Sequence, residues 1–183
     1  MVRSWKASAP MGLVVPGRSE VEKEWSPGKE SGPASPRLRR GGGCVVVAGG
    51  GRDLAWPVAQ VAASLLGVTG GRSVHLLLHG DARGADQRIA RAASQLGWPV
   101  KGVPAEWQRH GRAAGPIRNR QLLRRAQLAA QVMGSPGFPV SVLVVAFPGG
   151  RGTASLVDQA KALDLEVVAI DATSPVLSLS ASL

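Results

Sequence analysis

The stretch Ser141-Val-Leu-Val-Val-Ala-Phe-Pro-Gly-Gly-Arg-Gly-Thr153 decides the fold that we predict for this chain. Its apolar run, residues 142–147, is typical of a strand that is covered on both faces. A glycine-rich turn follows, and Thr153 begins a segment with apolar residues at helical spacing. A buried strand, a glycine turn and a helix N-terminus together form an anion site, because free N–H groups and the helix dipole favour phosphate. The simpler alternative is a tight turn without a ligand.

The same succession of strand, turn and helix recurs along the chain. Strand-like apolar runs occur at residues 45–48, 74–78, 99–103, 142–147 and 166–170. Helical patterns lie between them, at residues 54–66, at 86–96, from about Pro116 and from Thr153. This alternation predicts a three-layer, Rossmann-like α/β fold: a five-stranded parallel sheet of order 3-2-1-4-5 with helices on both faces.

The predicted strand order reverses between the first and the fourth strand. Ligands of such sheets bind at the carboxyl ends of the strands beside the reversal. The two most glycine-rich turns, residues 49–51 and 149–152, follow these two strands. The sequence therefore predicts a ligand site between the two turns.

Composition and charge narrow the class of partner. The chain carries 22 lysines and arginines against 12 acidic residues, a net charge of +10, which predicts a phosphorylated small molecule or nucleic acid as partner. The sequence has no apolar span of membrane length and no apolar secretory segment, so we expect a cytoplasmic protein without membrane association. Cys44 is the single cysteine and is expected to be a buried hydrophobe. With only three histidines besides, no metal-ligand spacing occurs, and we expect no metal site.

Composition also divides the chain into three parts. Residues 1–43 hold five prolines and no sustained periodicity, which indicates a disordered, basic, Pro/Gly-rich leader. Residues 44–171 form the predicted folded domain, and the serine-rich residues 172–183 are predicted to be a loose tail. Residues 134–139 hold two glycines and two prolines and are predicted to break the chain before the strand at 142–147.

The residues after the first predicted strand have alternative roles. Gly49, Gly50 and Gly51 either let a phosphate approach the backbone or simply permit a close strand–helix turn. The spacing of these glycines does not complete the dinucleotide-binding fingerprint. Arg52 either pairs with Asp53 or contacts the ligand, and Asp53 is alternatively a helix cap.

The segment His79-Gly-Asp-Ala-Arg-Gly-Ala-Asp86 follows the second predicted strand. Gly80 and Gly84 permit a looped backbone, and Arg83 is a candidate anion ligand. Asp86 is either a helix cap or a carboxylate that binds a ligand hydroxyl. His79 is a candidate general base, although no nucleophile is paired with it in the sequence.

A polar loop, residues 104–116, and the start of the next helix complete the predicted site. The loop is long for a strand–helix connection, and we predict that Arg109 and His110 help it to cover the base or sugar of a ligand. The alternative is a surface loop that Trp107 anchors by packing. Arg118 and Asn119 are expected in the first helical turn, where Arg118 would bind an anion and Asn119 a base or a ribose.

Four ordered motifs carry a resemblance to a known family. They are His79-Gly-Asp-Ala-Arg-Gly-Ala-Asp86, Pro104-Ala-Glu-Trp-Gln-Arg-His-Gly111, Ala114-Gly-Pro-Ile-Arg-Asn119 and Ala146-Phe-Pro-Gly-Gly-Arg-Gly-Thr153. Together they resemble the YspA/cpYpsA-related family of the SLOG superfamily over residues 44–171. The resemblance implies a Rossmann-like domain that binds or senses a nucleotide or a nucleotide-derived ligand.

The predicted ligand-binding set combines these motifs with the glycine turns. It consists of Gly49, Gly50, Gly51, Arg52, Gly80, Arg83, Gly84, Asp86, Arg109, His110, Arg118, Asn119, Pro148, Gly149, Gly150, Arg151, Gly152 and Thr153. No catalytic residue and no cofactor beyond the nucleotide-derived ligand is assigned. The sequence leaves homo-oligomerisation open.

Two alternative functions remain open from the sequence. The same superfamily includes cytokinin-activating phosphoribohydrolases, whose catalytic Glu follows the Pro-Gly-Gly-x-Gly-Thr motif. Here no acid follows Thr153 until Asp158, so His79, Asp81, Asp86 or His110 would have to replace that Glu. The second alternative is a nucleic-acid-binding accessory protein, although only Trp107 among the few aromatic residues lies in a candidate binding loop.

Overall fold

The computed structural model describes residues 42–171. They form one parallel five-stranded sheet with the order β3-β2-β1-β4-β5. The elements in chain order are β1 (Gly43–Gly49), α1 (Val58–Thr69), β2 (Ser73–His79), α2 (Ala85–Gln95), β3 (Val100–Gly102), α3 (Trp107–His110), a 3-10 turn (Gly111–Ala113), α4 (Ala114–Met133), β4 (Val140–Ala146), α5 (Arg151–Ala162) and β5 (Glu166–Ala169). The predicted Rossmann-like fold and its strand order are therefore confirmed.

The centre of the sheet is the pair of strands β1 and β4. Every residue of β1 is buried, as expected for a strand covered on both faces. Its register with β4 runs from Gly43 opposite Val140 to Gly49 opposite Ala146, so the two strands end level with each other. As a result, the turns that follow them lie side by side at the carboxyl edge of the sheet.

Alternate residues of β1 contribute to two separate hydrophobic cores. Cys44, Val46 and Ala48 pack in one core with residues of α1 and α2. Val45 and Val47 pack in the other core with residues of α4 and α5. Successive side chains of a strand point to opposite faces, so this division places a layer of helices on each side of the sheet.

The amino-terminal domain boundary differs slightly from the prediction. Gly43, assigned to the leader, is already the first residue of β1. The rest of the predicted leader except Gly42, and the predicted tail at 172–183, lie outside the described residues. The 134–139 segment contains an isolated bridge between Ser135 and Phe138 and precedes β4, so it lies at the edge of the sheet opposite the carboxyl ends.

The first helix starts and ends later than the sequence pattern predicts. It begins at Val58 because Pro57 disfavours the helical conformation for Trp56 before it. Leu54, predicted as a helical residue, instead lies in the loop before the helix, and its side chain is buried. The helix passes through Gly67 and ends at Gly70, which has the left-handed φ of 58° that favours glycine at this position. Asp53 therefore caps no helix, and that expectation is wrong.

The predicted 104–116 loop is largely helical, which corrects the sequence reading. Residues 107–110 form α3, a 3-10 turn follows, and α4 begins at Ala114 rather than at Pro116. Arg118 and Asn119 therefore lie in the second turn of α4, not in its first. The side chains of residues 107–113 bury no apolar face, which explains why no helical periodicity marks this segment.

Two further observations concern membranes and metals. None of the helices between residues 42 and 171 is both long and apolar enough to cross a membrane. Within the same residues, no cluster of three or more His, Cys, Asp or Glu side chains is arranged to hold a metal ion.

Candidate functional site

A single large cleft lies at the carboxyl edge of the sheet, where the strand order reverses between β1 and β4. Its volume is about 1080 Å³, and its lining comes from residues 48–56, 80–86, 104–122 and 148–156. The last three of these segments contain the four sequence motifs, and the first contains the glycine turn after β1. The fold thus brings together residues that are separated by up to 108 positions in the chain, from Ala48 to Leu156.

The glycine turns after β1 and β4 pack directly against each other. The Gly51 N–H donates to the Pro148 carbonyl at 2.8 Å, and the Phe147 N–H donates to the Gly49 carbonyl at 2.8 Å. A Cβ at Gly51 would lie 3.0 Å from that Pro148 oxygen, and a Cβ at Gly149 would collide with Thr153 Oγ1. These two glycines are therefore needed for contact between the turns, which is the simpler of their two predicted roles.

The N-terminus of α5 opens into the cleft without a cap. In the part of the chain that the structure describes, no side chain caps the helix, and its first turn contains Arg151 and no acidic residue. The Gly150 carbonyl accepts hydrogen bonds from the N–H groups of Thr153 and Ala154. The first N–H groups of a helix have no intrahelical acceptor, so this end offers donors and a positive dipole to an anion. A Cβ at Gly150 or Gly152 would meet nothing within 4 Å.

Arg118 places a buried positive charge in the same cleft. Its side chain is 15% exposed, and Nη1 lies 3.8 Å from Asp86 Oδ2, too far for a hydrogen bond. This Nη1 is buried and has no hydrogen-bond partner within the described residues, 42–171. Burial lowers the pKa of the Arg118 guanidinium, while Asp86 acts in the opposite direction, and the group stays protonated at neutral pH. An unpaired buried donor costs about 1–3 kcal/mol, which an anion bound there would recover.

Asp86 is the buried counter-charge of Arg118 rather than a helix cap. The N-cap of α2 is Gly84, so the capping role predicted for Asp86 is wrong. Its Oδ2 accepts a hydrogen bond of 3.0 Å from the Ala82 N–H, which shapes the turn before the helix. Burial raises the pKa of Asp86, whereas the Ala82 hydrogen bond and Arg118 oppose that shift.

Asn119 is committed to bonds within the protein. Its Nδ2 donates to the Gly152 carbonyl at 3.0 Å, and its Oδ1 accepts from Arg118 Nε at 3.1 Å. The residue is only 3% exposed. The predicted contact with a base or ribose is therefore replaced by a structural role that joins α4 to the first turn of α5.

His79 lies beneath the cleft rather than in its lining. The residue is buried, and its Nδ1 accepts a hydrogen bond of 3.1 Å from the Asp81 N–H. Burial lowers the pKa of the imidazole, so it is neutral near pH 7, while Asp86 and Asp81 counteract part of that shift. The geometry gives His79 a part in shaping the 79–82 turn.

Four residues of the predicted set do not line the cleft: Arg83, Gly84, Arg109 and His110. Arg83 is exposed. Gly84 has a positive φ of 80°, and a Cβ there would collide with the Arg52 carbonyl. Arg109 and His110 instead face Glu106, with N–O distances of 3.5 and 3.4 Å. The remaining fourteen residues all line it.

Several lining residues were not in the predicted set. Asp81 lies in the 79–86 motif, and Trp107 and Arg112 lie in the predicted 104–116 loop, so including every polar or aromatic residue of these two segments would have found them. Trp56 follows the first glycine turn and carries no comparable signal. Arg52 was predicted either to pair with Asp53 or to contact a ligand; it lines the cleft, and its Cζ lies 5.6 Å from the centre of the Trp107 ring.

The fold and the cleft define an α/β protein with a Rossmann-like sheet and a basic, glycine-bordered cleft at the point where the strand order reverses. Comparison with protein-family models, with curated proteins and with solved structures gives no match to this chain. The resemblance to the YspA/cpYpsA-related family therefore stays a prediction that rests on the four motifs.

Proposed function

We propose that this protein binds or senses a nucleotide or a nucleotide-derived ligand, whose phosphate lies between the N-terminus of α5 and Arg118. The observation that carries the proposal is Arg118, which lines the same cleft as the uncapped helix end and whose buried Nη1 has no hydrogen-bond partner among residues 42–171. Both the guanidinium and the helix N–H groups attract a phosphate, and an apolar ligand would leave them without hydrogen-bond acceptors.

The charge and shape of the cleft support a phosphorylated organic molecule over a simple anion. Four arginines line the cleft, namely Arg52, Arg112, Arg118 and Arg151. The volume of about 1080 Å³ greatly exceeds that of an inorganic phosphate and suits a nucleotide. Apolar and aromatic lining from Leu54, Trp56 and Trp107 offers contacts for the part of the ligand that carries no charge.

Thermal unfolding with a panel of ligands tests this function. The panel contains nucleoside monophosphates, NAD, ADP-ribose and inorganic phosphate, with single-stranded DNA as a comparison. A ligand at a hundred times its Kd stabilises a protein by about 2.7 kcal/mol, so we expect a rise in Tm on the order of 5–10 °C. If no nucleotide raises the Tm, the proposal is wrong. If only DNA does so and its effect vanishes with salt, the cleft is not the binding site.

The variant Gly150→Asp locates the phosphate. A Cβ at Gly150 meets no atom within 4 Å, and Asp is a favourable N-cap, so the free protein should not lose stability. Its carboxylate would occupy the position of the phosphate and abolish the ligand-induced shift. Gly150→Ala is the matched control, because its Cβ meets no atom within 4 Å and cannot accept from the helix N–H groups, so it should retain most of the shift. Equal shifts in the wild type and the Asp variant would contradict the proposed phosphate position.

Nucleotide cleavage is the second candidate function, and Asp86 is the observation that favours it. This buried carboxyl lines the cleft and has a raised pKa, as a general acid requires. The test is chromatographic detection of free base after incubation with nucleoside monophosphates. Base release by the wild type that is lost in Asp86→Asn would support cleavage, provided that the variant still binds the nucleotide. If no free base is released from the nucleotides that bind, cleavage of these nucleotides is excluded.

A further inference from the structure

The contact between Arg52 and Trp107 joins two segments of the cleft. Arg52 follows β1, Trp107 begins α3, and both line the cleft. The Arg52 Cζ lies 5.6 Å from the centre of the indole ring, within the range of a cation–π interaction. A planar guanidinium on an indole face occupies the position that another flat group could take.

Trp107 is the more accessible of the two tryptophans that line the cleft. It is 49% exposed, although large aromatic side chains are usually buried in cores or interfaces. One end of its indole lies near Gly115, where an added Cβ would lie 3.6 Å from Trp107 Cη2. Trp56, by contrast, is partly buried against the core and meets Phe147 edge-on at 6.0 Å. Trp107 therefore offers a positioned ring face, and Trp56 contributes to the wall.

The contact that now covers this face is easily exchanged. A cation–π pair at an exposed site changes an equilibrium constant by only about two- to fivefold. Stacking of a nucleobase on an aromatic side chain contributes about five- to a hundredfold. A base would therefore displace the guanidinium, and the exposed Arg52 would be free to pair with the phosphate of the same ligand.

We infer that the Trp107 face covered by Arg52 is the stacking site for the planar base of the ligand, and that Arg52 exchanges this face for the ligand phosphate on binding. This inference rests on the proposed function, to which it adds a requirement for a flat ring. A single stacking site also agrees with the lining that residues 42–171 give the cleft, where Trp107 is the more exposed of two tryptophans and a platform for a run of bases is absent.

Isothermal titration with adenosine 5′-monophosphate and ribose 5-phosphate tests the inference. The two probes differ only in the base. In the wild type we expect the nucleotide to bind about five- to a hundredfold more tightly than the sugar phosphate. In Trp107→Leu this ratio should fall close to one, and in Trp107→Phe, which keeps a ring, most of the ratio should remain. The Tm of each variant shows that it is folded, as expected for a half-exposed position.

The exchange of Arg52 has its own test. In Arg52→Gln the indole face is uncovered, so adenosine, which has no phosphate, should bind about two- to fivefold more tightly than to the wild type. The affinity of adenosine 5′-monophosphate for Arg52→Gln should not increase, because its phosphate can no longer pair with Arg52. Equal changes for both probes would contradict the exchange.

The outcomes separate this inference from the proposed function. If both phosphorylated probes bind the wild type equally, or if the ratio persists in Trp107→Leu, the stacking site is wrong while the phosphate site stands. If neither probe binds and none of the ligand panel does, the proposed function fails and the inference fails with it.

Discussion

The Asn119 side chain donates a hydrogen bond of 3.0 Å from Nδ2 to the carbonyl oxygen of Gly152. Its other end accepts from Arg118 Nε, so one buried amide holds the guanidinium of α4 at a fixed position relative to the first turn of α5. We propose that the ligand phosphate binds between these two groups, the Arg118 guanidinium and the first turn of α5. Anion binding and the packing of α4 on α5 therefore depend on the same side chain.

Asn119→Ala should weaken both stability and binding. It removes two hydrogen bonds and leaves the Gly152 carbonyl and Arg118 Nε without these partners, so the free energy of unfolding should fall by about 1–3 kcal/mol. Chemical denaturation measures this loss, and titration with the nucleotide that binds best should show an affinity at least about tenfold lower. Gln121→Ala is the control, because that amide is exposed on the same helix. Unchanged stability in Asn119→Ala would contradict the bridge.

Gly80→Ala should displace Arg118 with little effect on the fold. A Cβ at Gly80 would collide with the guanidinium, which is the far end of a flexible side chain and can shift. Loss of one charge-assisted hydrogen bond should weaken binding of a phosphorylated ligand about ten- to a hundredfold. The free energy of unfolding should fall by no more than about 1–3 kcal/mol, because the shifted guanidinium loses its hydrogen bond to Asn119. Gly137→Ala, at the opposite edge of the sheet and with open space around it, is the control. Normal affinity in Gly80→Ala would show that Arg118 does not contact the ligand.

Gly67→Ala should stabilise the protein. Gly67 lies inside α1, and a Cβ there would meet no atom within 4 Å. Replacing a glycine in the interior of a helix by alanine adds about 0.5–1 kcal/mol to the free energy of unfolding, because the unfolded chain loses conformational freedom. Chemical denaturation measures the gain. No gain, or a loss, would indicate that α1 ends before Gly67, as the sequence pattern first suggested.

The stability of the protein should depend on pH through His79. Burial lowers the pKa of this imidazole below its ordinary value of 6.5, so the unfolded chain binds a proton more readily than the folded one. The contribution of His79 is therefore fully present above about pH 6.5 and is lost as the pH falls from there towards the folded-state pKa. Unfolding at pH 7.5 and pH 5.5 should show this loss. His79→Asn keeps an acceptor for the Asp81 N–H and should lose less stability over the same interval; equal losses would exclude His79 as the cause.

The fold could be predicted from the sequence because its signals are local and repeated. Continuous apolar runs such as residues 142–147 mark strands covered on both faces, and the runs at 45–48, 74–78 and 142–147 are each followed by a turn that contains glycine. The right-handed crossover then fixes how successive strands join, which leads to the observed order. The same rule indicated which loops meet at one edge, so most of the predicted cleft residues do line the cleft. Helix boundaries were less accurate at two places. Pro57 overrides the apolar periodicity at the start of α1, and the polar 107–113 segment is helical without such a periodicity.

What only the tertiary structure decided is the direction of each polar side chain. Arg109 and His110 lie three and four residues after Glu106, and the helical turn places them beside that carboxylate instead of in the cleft. Asn119 and Arg52, in contrast, have partners that are distant in the chain. Asn119 donates to Gly152, 33 positions later, and Arg52 contacts Trp107, 55 positions later. Such contacts depend on how helices and loops pack after folding, and no local pattern of residues encodes them. The sequence by itself determined where the cleft is, and packing determined which of its side chains remain available to a ligand.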